Sequence, residues 1–193
     1  MTDRDIVAET MKARETQICK VLVAGPVGVG KTTAVSVASD TPILSTEVHP
    51  SDDTQLQKES TTVAMDFNTV WLDDGLKVHL YGTPGQKRFD FMWGVLAKGT
   101  AGVVLLADNN SDNVFQDIQA YLDAFEPMIH KRQLVVGVTR MENDSDQALQ
   151  PYRDYFAQRN MHVPVLEADP RSRHDVIILI RASLAADQLG RTA

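Results

Sequence analysis

The chain of 193 residues predicts a three-layer α/β domain built on a mostly parallel six-stranded sheet with one antiparallel edge hairpin. Three observations carry that expectation. Apolar runs of strand length alternate with segments of helical period almost throughout, the pattern of parallel strands joined by helical crossovers. A glycine-rich turn, Gly25-Pro26-Val27-Gly28-Val29-Gly30-Lys31-Thr32, joins the first such run to the first helical segment. Asp74-Gly75 separates two short runs of β-forming residues and reads as a two-residue hairpin turn, since both central positions tolerate positive φ.

The elements follow in order. Residues 1–15 are polar apart from Ile6, Val7 and Met11, and read as a short amphipathic helix or frayed arm ahead of a nucleotide-binding domain at 16–193. The first strand runs from Gln17 to Ala24, and Ala34, Val35 and Val37 mark the helix after the glycine-rich turn. Residues 40–60 are polar, broken by Pro42 and Pro50 and without sustained period, so they read as a long loop. Thr61 to Leu72 and Leu76 to Leu80 read as antiparallel neighbours. Phe89, Met92, Trp93 and Leu96 then fall at i, i+3, i+4 and i+7, with Phe91 and Val95 on a different face of the same helix. Ala101 to Ala107 is a continuous apolar run, the mark of a central strand covered on both sides. Val114, Ile118, Tyr121, Leu122 and Phe125 form a helix stripe before Pro127, and Leu134 to Val138 gives another buried strand. A helix after Pro151, a short strand at Val163 to Leu166 and a last helix through Val176, Ile177, Ile180 and Leu184 complete the pattern. Ser172 and Asp175 have capping-box spacing at the start of that last helix.

Composition narrows the function. Hydrophobic residues make up 43% and charged residues 23%, the balance of a folded domain with a continuous core. A formal charge of −7 and a pI near 5.1 give the long-range field the wrong sign for non-specific contact with nucleic acid or anionic lipid. The single cysteine, Cys19, cannot pair within the chain and reads as buried filler in the first strand. The five histidines share no spacing with Cys or carboxylates that suits zinc. No apolar run approaches membrane-spanning length, and no signal-peptide core, myristoyl or prenyl signal is present. The expectation is a cytoplasmic protein without a direct membrane anchor.

The glycine-rich turn matches G-x-x-x-x-G-K-[ST] with a strand before it and a helix after it, the context that gives the pattern its meaning. Gly25, Gly28, Val29, Gly30, Thr32 and Thr33 would turn backbone N–H groups and the helix N-terminus toward phosphate oxygens. Lys31 adds a point charge at the outer phosphates, and the Thr32 hydroxyl is placed to coordinate Mg²⁺. The loop does not say which base follows the phosphates.

The order of features after this turn resembles the Ras-like small GTPases over about residues 17–189. Thr62-Val63-Ala64-Met65-Asp66-Phe67 looks like the end of their first switch, which implies Thr62 as a second protein ligand to Mg²⁺. Gly82-Thr83-Pro84-Gly85-Gln86 looks like the second-switch D-x-x-G-Q, which implies that Gly85 contacts the γ-phosphate and Gln86 orients the attacking water. The acidic position is Gly82 here, so the carboxylate that would hold a water on the metal is missing or supplied from elsewhere. The phrase Tyr81 to Phe89 resembles a bacterial and archaeal branch related to the gliding-motility GTPase MglA. Thr139-Arg140-Met141-Glu142 stands in place of [NT]-K-x-D, which implies Thr139, Arg140 and Glu142 at the base, and Ala168-Asp169 lies near the S-A-K position, which brings in Asp169. Glu142 keeps both acceptor oxygens on a stem one methylene longer, so guanine and adenine both stay open. Val27 stands where a side chain would crowd an arginine finger, and the resemblance implies slow unassisted turnover, on the order of 10⁻⁴ s⁻¹. It also implies GTP and GDP as ligands, a protein effector and a roadblock-type regulator acting through the switches.

Overall fold

The computed structural model describes residues 18–39, 44–46, 65–72, 75–85, 90–125, 134–142 and 146–191. Its strands are β1 (Ile18–Ala24), β2 (Leu44–Thr46), β3 (Met65–Trp71), β4 (Lys77–Gly82), β5 (Gly102–Asp108), β6 (Leu134–Thr139) and β7 (Val165–Glu167). Its helices are α1 (Lys31–Ala38), α2 (Asp90–Ala97), α3 (Val114–Phe125), α4 (Gln150–Ala157) and α5 (Arg173–Arg191). A short 3-10 turn, Asp146–Leu149, leads into α4, where Pro151 occupies the first turn and its missing N–H costs nothing.

The strands form one sheet in the order β2-β3-β4-β1-β5-β6-β7. Pairs β4-β1, β1-β5, β5-β6 and β6-β7 are parallel, whereas β2-β3 and β3-β4 are antiparallel. The α/β class and the mostly parallel sheet follow the sequence expectation, with one strand more than the six predicted. That strand, β2, comes from the segment read as loop, and it makes β2 the edge in place of the β3-β4 hairpin. Three residues are too short a run to raise a period in sequence; pairing with Met65, Asp66 and Phe67 of β3 is what makes Leu44–Thr46 a strand.

Both faces of the central strands are covered, which is why they read as unbroken apolar runs. Within β1, Val21 and Val23 pack toward α1 and α5, and the alternate residues Leu22 and Ala24 pack toward α2, α3 and α4. All four are at most 1% exposed. Strand β3 behaves differently: Asn68, Val70 and Leu72 are buried, whereas Phe67 lies on the other face against His79 and Tyr81. Cys19 is half-buried and packs against the first of these two clusters. Among the described residues no helix is long and apolar enough to cross a membrane.

The hairpin between β3 and β4 is one residue longer than the two-residue reading. Leu72 N–H donates to Leu76 O at 2.9 Å, and Gly75 N–H donates back to Leu72 O at 2.9 Å with Gly75 at φ 80°. The register therefore pairs Trp71 with Lys77 and, at the far end, Asp66 with Gly82.

Helix α5 seats on the sheet through small residues. A Cβ on Gly102 would lie 2.5 Å from Ser183 Oγ and 2.9 Å from Ser183 Cβ, so the glycine is what allows the close approach of β5 and α5. Gly102→Ala should therefore destabilise the protein by about 1–3 kcal/mol through overpacking. Urea unfolding checks this, with a lower midpoint and an unchanged slope expected.

Candidate functional site

The carboxyl ends of β1, β5, β6 and β7 converge on one edge of the sheet, the position at which open α/β sheets bind ligands. The turn after β1 wraps this edge. Gly25, Gly28 and Gly30 adopt φ of 144°, 79° and 108°, values that a side chain would strain. Gly30 caps α1, and its carbonyl accepts from Ala34 N–H at 2.8 Å. A Cβ on Gly30 would also strike the Pro170 ring at 2.7 Å, so the turn and the 168–172 loop rest directly on each other.

Lys31 is only 8% exposed, and its Nζ donates to Pro26 O at 2.6 Å. Burial pushes its pKa down to about 8, against the opposing pull of the Asp66 carboxylate. Gly85 passes close in front of it. A Cβ there would lie 2.6 Å from Lys31 Nζ, 2.9 Å from Val27 N and 3.0 Å from Pro26 C, so only glycine lets this backbone reach the turn.

The Thr32 hydroxyl donates to Asp66 Oδ2 at 2.6 Å. Asp66 is the cross-strand partner of Gly82, and a Cβ at Gly82 would stand 3.0 Å from both Asp66 Cβ and Asp66 Oδ2. The carboxylate of β3 therefore fills the space over the residue where the second-switch acid was expected. Hydroxyl and carboxylate oxygens are the hard donors that Mg²⁺ prefers, and few protein ligands suffice when phosphates complete the shell. Thr32 and Asp66 fit such an ion.

Beyond the turn, a cavity of about 720 Å³ is lined by Gly28, Val29, Gly30, Thr33, Thr139, Arg140, Met141, Glu167, Ala168, Asp169, Pro170, Arg171 and Asp175. Of the residues expected at the base, Thr139, Arg140 and Asp169 line it; Glu142 is exposed and is not among the lining residues. Each of the three has a further task. Thr139 is buried, and its hydroxyl donates to Ala107 O at 3.1 Å. Arg140, at φ 58°, pairs through Nη1 with Asp108 and donates from Nη2 to Gly28 O at 2.7 Å, so its head braces the turn while its stem faces the cavity. Asp169 accepts from Arg171 Nε at 2.9 Å and Nη2 at 2.8 Å, contacts that hold its carboxyl below the usual range. The capping box is half formed. Ser172 Oγ accepts from Asp175 N–H at 3.3 Å, but Asp175 Oδ2 takes the Asp169 N–H at 3.0 Å and so orders the loop beside the cavity. Burial works against the Asp175 charge, yet the bonds from the Asp169 amide, Ser172 and His174 leave its carboxyl lowered.

Sequence reasoning missed Asp66, although the residue lies inside the first-switch phrase. It also took Trp93 as core first and partner anchor second, and Tyr121 as part of a stripe. Both have polar ends aimed at the site: Tyr121 Oη donates to Gly25 O at 2.6 Å and Trp93 Nε1 to Pro84 O at 3.0 Å. Thr62 and Gln86 lie outside the described residues.

The phosphate-binding turn, the sheet order and the cavity at the strand ends define a P-loop nucleotide-binding protein. A family model described as a conserved hypothetical ATP binding protein matches residues 43–176, more than half of the chain, and the chain belongs to that family. The matched span begins after the phosphate-binding turn and covers Asp66, Gly85 and the cavity-lining residues from Thr139 to Asp175. An uncharacterized protein of Methanocaldococcus jannaschii is 34% identical over 89 residues, 46% of this chain and 50% of its own length. The Ras-related protein Rab-18 of Lymnaea stagnalis is 26% identical over 119 residues, 60% of this chain and 53% of its own length. The chain thus spans about half the length of the curated relatives it matches. The Rab match supports a small-GTPase-like relationship.

Lys31 gives the site a pH signature. Its pKa lies below the unfolded value, so between about pH 8 and that value the unfolded chain holds the extra proton and stability rises with pH. Phosphate binding runs the other way, because it needs the ammonium. Nucleoside-triphosphate affinity should fall roughly tenfold from pH 7 to pH 9, and calorimetric titration across that range should show the fall in the native protein and not in Lys31→Met.

Proposed function

We propose that the chain is a Mg²⁺-dependent guanine-nucleotide switch of the Ras-like class that hydrolyses GTP slowly and works in the cytoplasm through protein partners. The carrying observation is the Thr32–Asp66 hydrogen bond above Gly82. It supplies, from the neighbouring strand, the carboxylate that the second-switch phrase lacks, so Gly82 does not mark a site without its acid. A side chain at Gly82 would press on Asp66 at 3.0 Å, so a second carboxylate there would have to displace the first.

In this reading the turn amides and the Lys31 ammonium hold the outer phosphates, the contact from Lys31 Nζ to Pro26 O being exchanged for phosphate oxygens. Thr32 and Asp66 hold the metal, with Thr62 as the further ligand the resemblance implies. Bound Mg²⁺ would neutralise part of the charge on the phosphates. Gly85, next to Lys31, reads the third phosphate, and Gln86 orients the attacking water. Arg140, Thr139 and Asp169 shape the end of the cavity that takes the base, and Glu142 reads guanine after a shift of its loop. Val27 and Val95, 66% and 65% exposed, supply apolar surface for an effector or a roadblock-type regulator. The MglA-related branch fits the Tyr81 to Phe89 phrase.

A second reading, an adenine-nucleotide protein, draws on two findings: the family description names ATP, and Glu142 is absent from the cavity lining. Denaturing the purified protein and separating its nucleotides by chromatography decides between them. GDP or GTP is expected, and adenine nucleotide would overturn the guanine reading.

Asp66→Asn tests the metal role. It should weaken Mg²⁺-dependent nucleotide retention about 10- to 100-fold and leave retention in EDTA within a few-fold, as read from the release of a fluorescent nucleotide. Equal loss with and without the metal would sink this assignment.

A further inference from the structure

The phosphate-binding turn and the Pro84-Gly85 segment are joined by one aromatic pair. Trp93 of α2 and Tyr121 of α3 are 3% and 4% exposed, and their rings stack at 4.4 Å between centroids with an interplanar angle of 24°. Phe125 backs both rings, at 6.0 and 6.2 Å. The polar ends of the pair point to opposite jaws of the site. Tyr121 Oη donates to the carbonyl of Gly25, the first residue of the turn, and Trp93 Nε1 donates to the carbonyl of Pro84, the residue before Gly85.

Neither bond is needed to bury a ring. Phenylalanine would fill the Tyr121 place without a donor, and a phenol or indole buried without a partner is disfavoured. The two donors go to backbone acceptors whose positions matter. Thr83 N–H is pinned on Val23 O at 2.9 Å, so the hold on Pro84 O leaves Gly85 little freedom other than to project over Lys31. The hold on Gly25 O fixes the turn from the other side. Stacking makes the two holds one unit, because a displacement of Trp93 must slide over or push Tyr121.

We propose that Trp93 and Tyr121 are positioning residues that set Gly85 against Lys31 and Val27, and so set the preference of the site for a third phosphate over a second. The inference rests on the functional reading above, in which Gly85 meets the terminal phosphate. It adds two residues that touch neither nucleotide nor metal. It also gives α2 and α3 a connection to the occupancy of the phosphate site, through the Pro84 carbonyl.

The test compares Trp93→Phe, Tyr121→Phe and the double variant with the native chain. Each substitution keeps an aromatic ring and removes one donor; Tyr121→Phe removes nothing else, whereas Trp93→Phe also gives up ring volume. Affinities are measured by calorimetry for a diphosphate and a non-hydrolysable triphosphate carrying whichever base the native protein binds more tightly. Trp93→Phe should weaken triphosphate binding by roughly five- to tenfold and leave the diphosphate within twofold. Tyr121→Phe should shift the ratio in the same direction, and the double variant should be no worse than about the larger single effect, because cutting either end breaks the same connection. In a Trp71→Phe background, Trp93 emission should respond to the triphosphate more than to the diphosphate, and Tyr121→Phe should reduce that response.

Equal losses for both nucleotides, an unchanged ratio, a gain in triphosphate preference or full additivity would each overturn the inference. If Trp93→Phe does not fold, Tyr121→Phe and the Trp93 emission carry the test. The native protein separates the two levels of argument. A native chain that prefers the triphosphate while its variants keep that preference refutes only the positioning role. One that distinguishes the nucleotides in no way refutes the switch reading and the positioning role together.

Discussion

A lysine ammonium buried to 8% exposure is the constraint around which this molecule is arranged. A charge taken out of water needs compensation, and the fold offers Lys31 a carbonyl at 2.6 Å and the field of Asp66. These do not restore its ordinary pKa, so part of the cost of the buried charge is left for an anion to offset. The demand explains the neighbouring residues. Gly85 must lack a side chain to come near the ammonium, and Asp66 must reach across from β3 without occupying the place of a phosphate.

The Thr32–Asp66 contact above Gly82 shows what a sequence reading can and cannot reach. Strand and helix runs were legible because both faces of the central strands are covered and their apolar runs are unbroken. The phosphate-binding turn was legible because its glycines, lysine and threonine each answer a local requirement. Asp66 was hidden by register. A two-residue turn at Asp74-Gly75 pairs residues whose numbers sum to 149, which sets Asp66 opposite Thr83; the observed pairing of Leu72 with Leu76 sets it opposite Gly82. One residue of slip changes which side chains share a face. The turn was read correctly as a hairpin, but its length, and with it the residue opposite Asp66, follows only from the observed pairing.

The base end was less legible for another reason. Arg140, Thr139 and Asp169 were expected there from the resemblance to base-reading motifs, but their partners come from other elements. Asp108 and Gly28 take the Arg140 guanidinium, Ala107 takes the Thr139 hydroxyl, and Asp175 takes the Asp169 amide. Strand β2 escaped for a similar reason: three residues become a strand only when β3 is beside them. Local pattern speaks for residues whose constraint is local, and contacts across elements stay silent until the register is known.

The distribution of acceptors in the turn gives these contacts a common purpose. Gly25 O is taken by Tyr121, Pro26 O by Lys31, Gly28 O by Arg140 and Gly30 O by Ala34 N–H. Four carbonyls of one short turn are thus satisfied from four directions: α3, the head of α1, the loop after β6, and the first turn of α1 itself. A backbone whose carbonyls are held in this way can present N–H groups to an incoming anion at little further entropy, although Val29 N–H itself reaches Pro26 O at 3.4 Å. Phosphate binding then replaces a single internal contact, that of Lys31 with Pro26. Of the other three, those from Tyr121 and Arg140 tie the turn to separate elements, so a change in how the phosphates are held is felt at α3 and at the loop after β6.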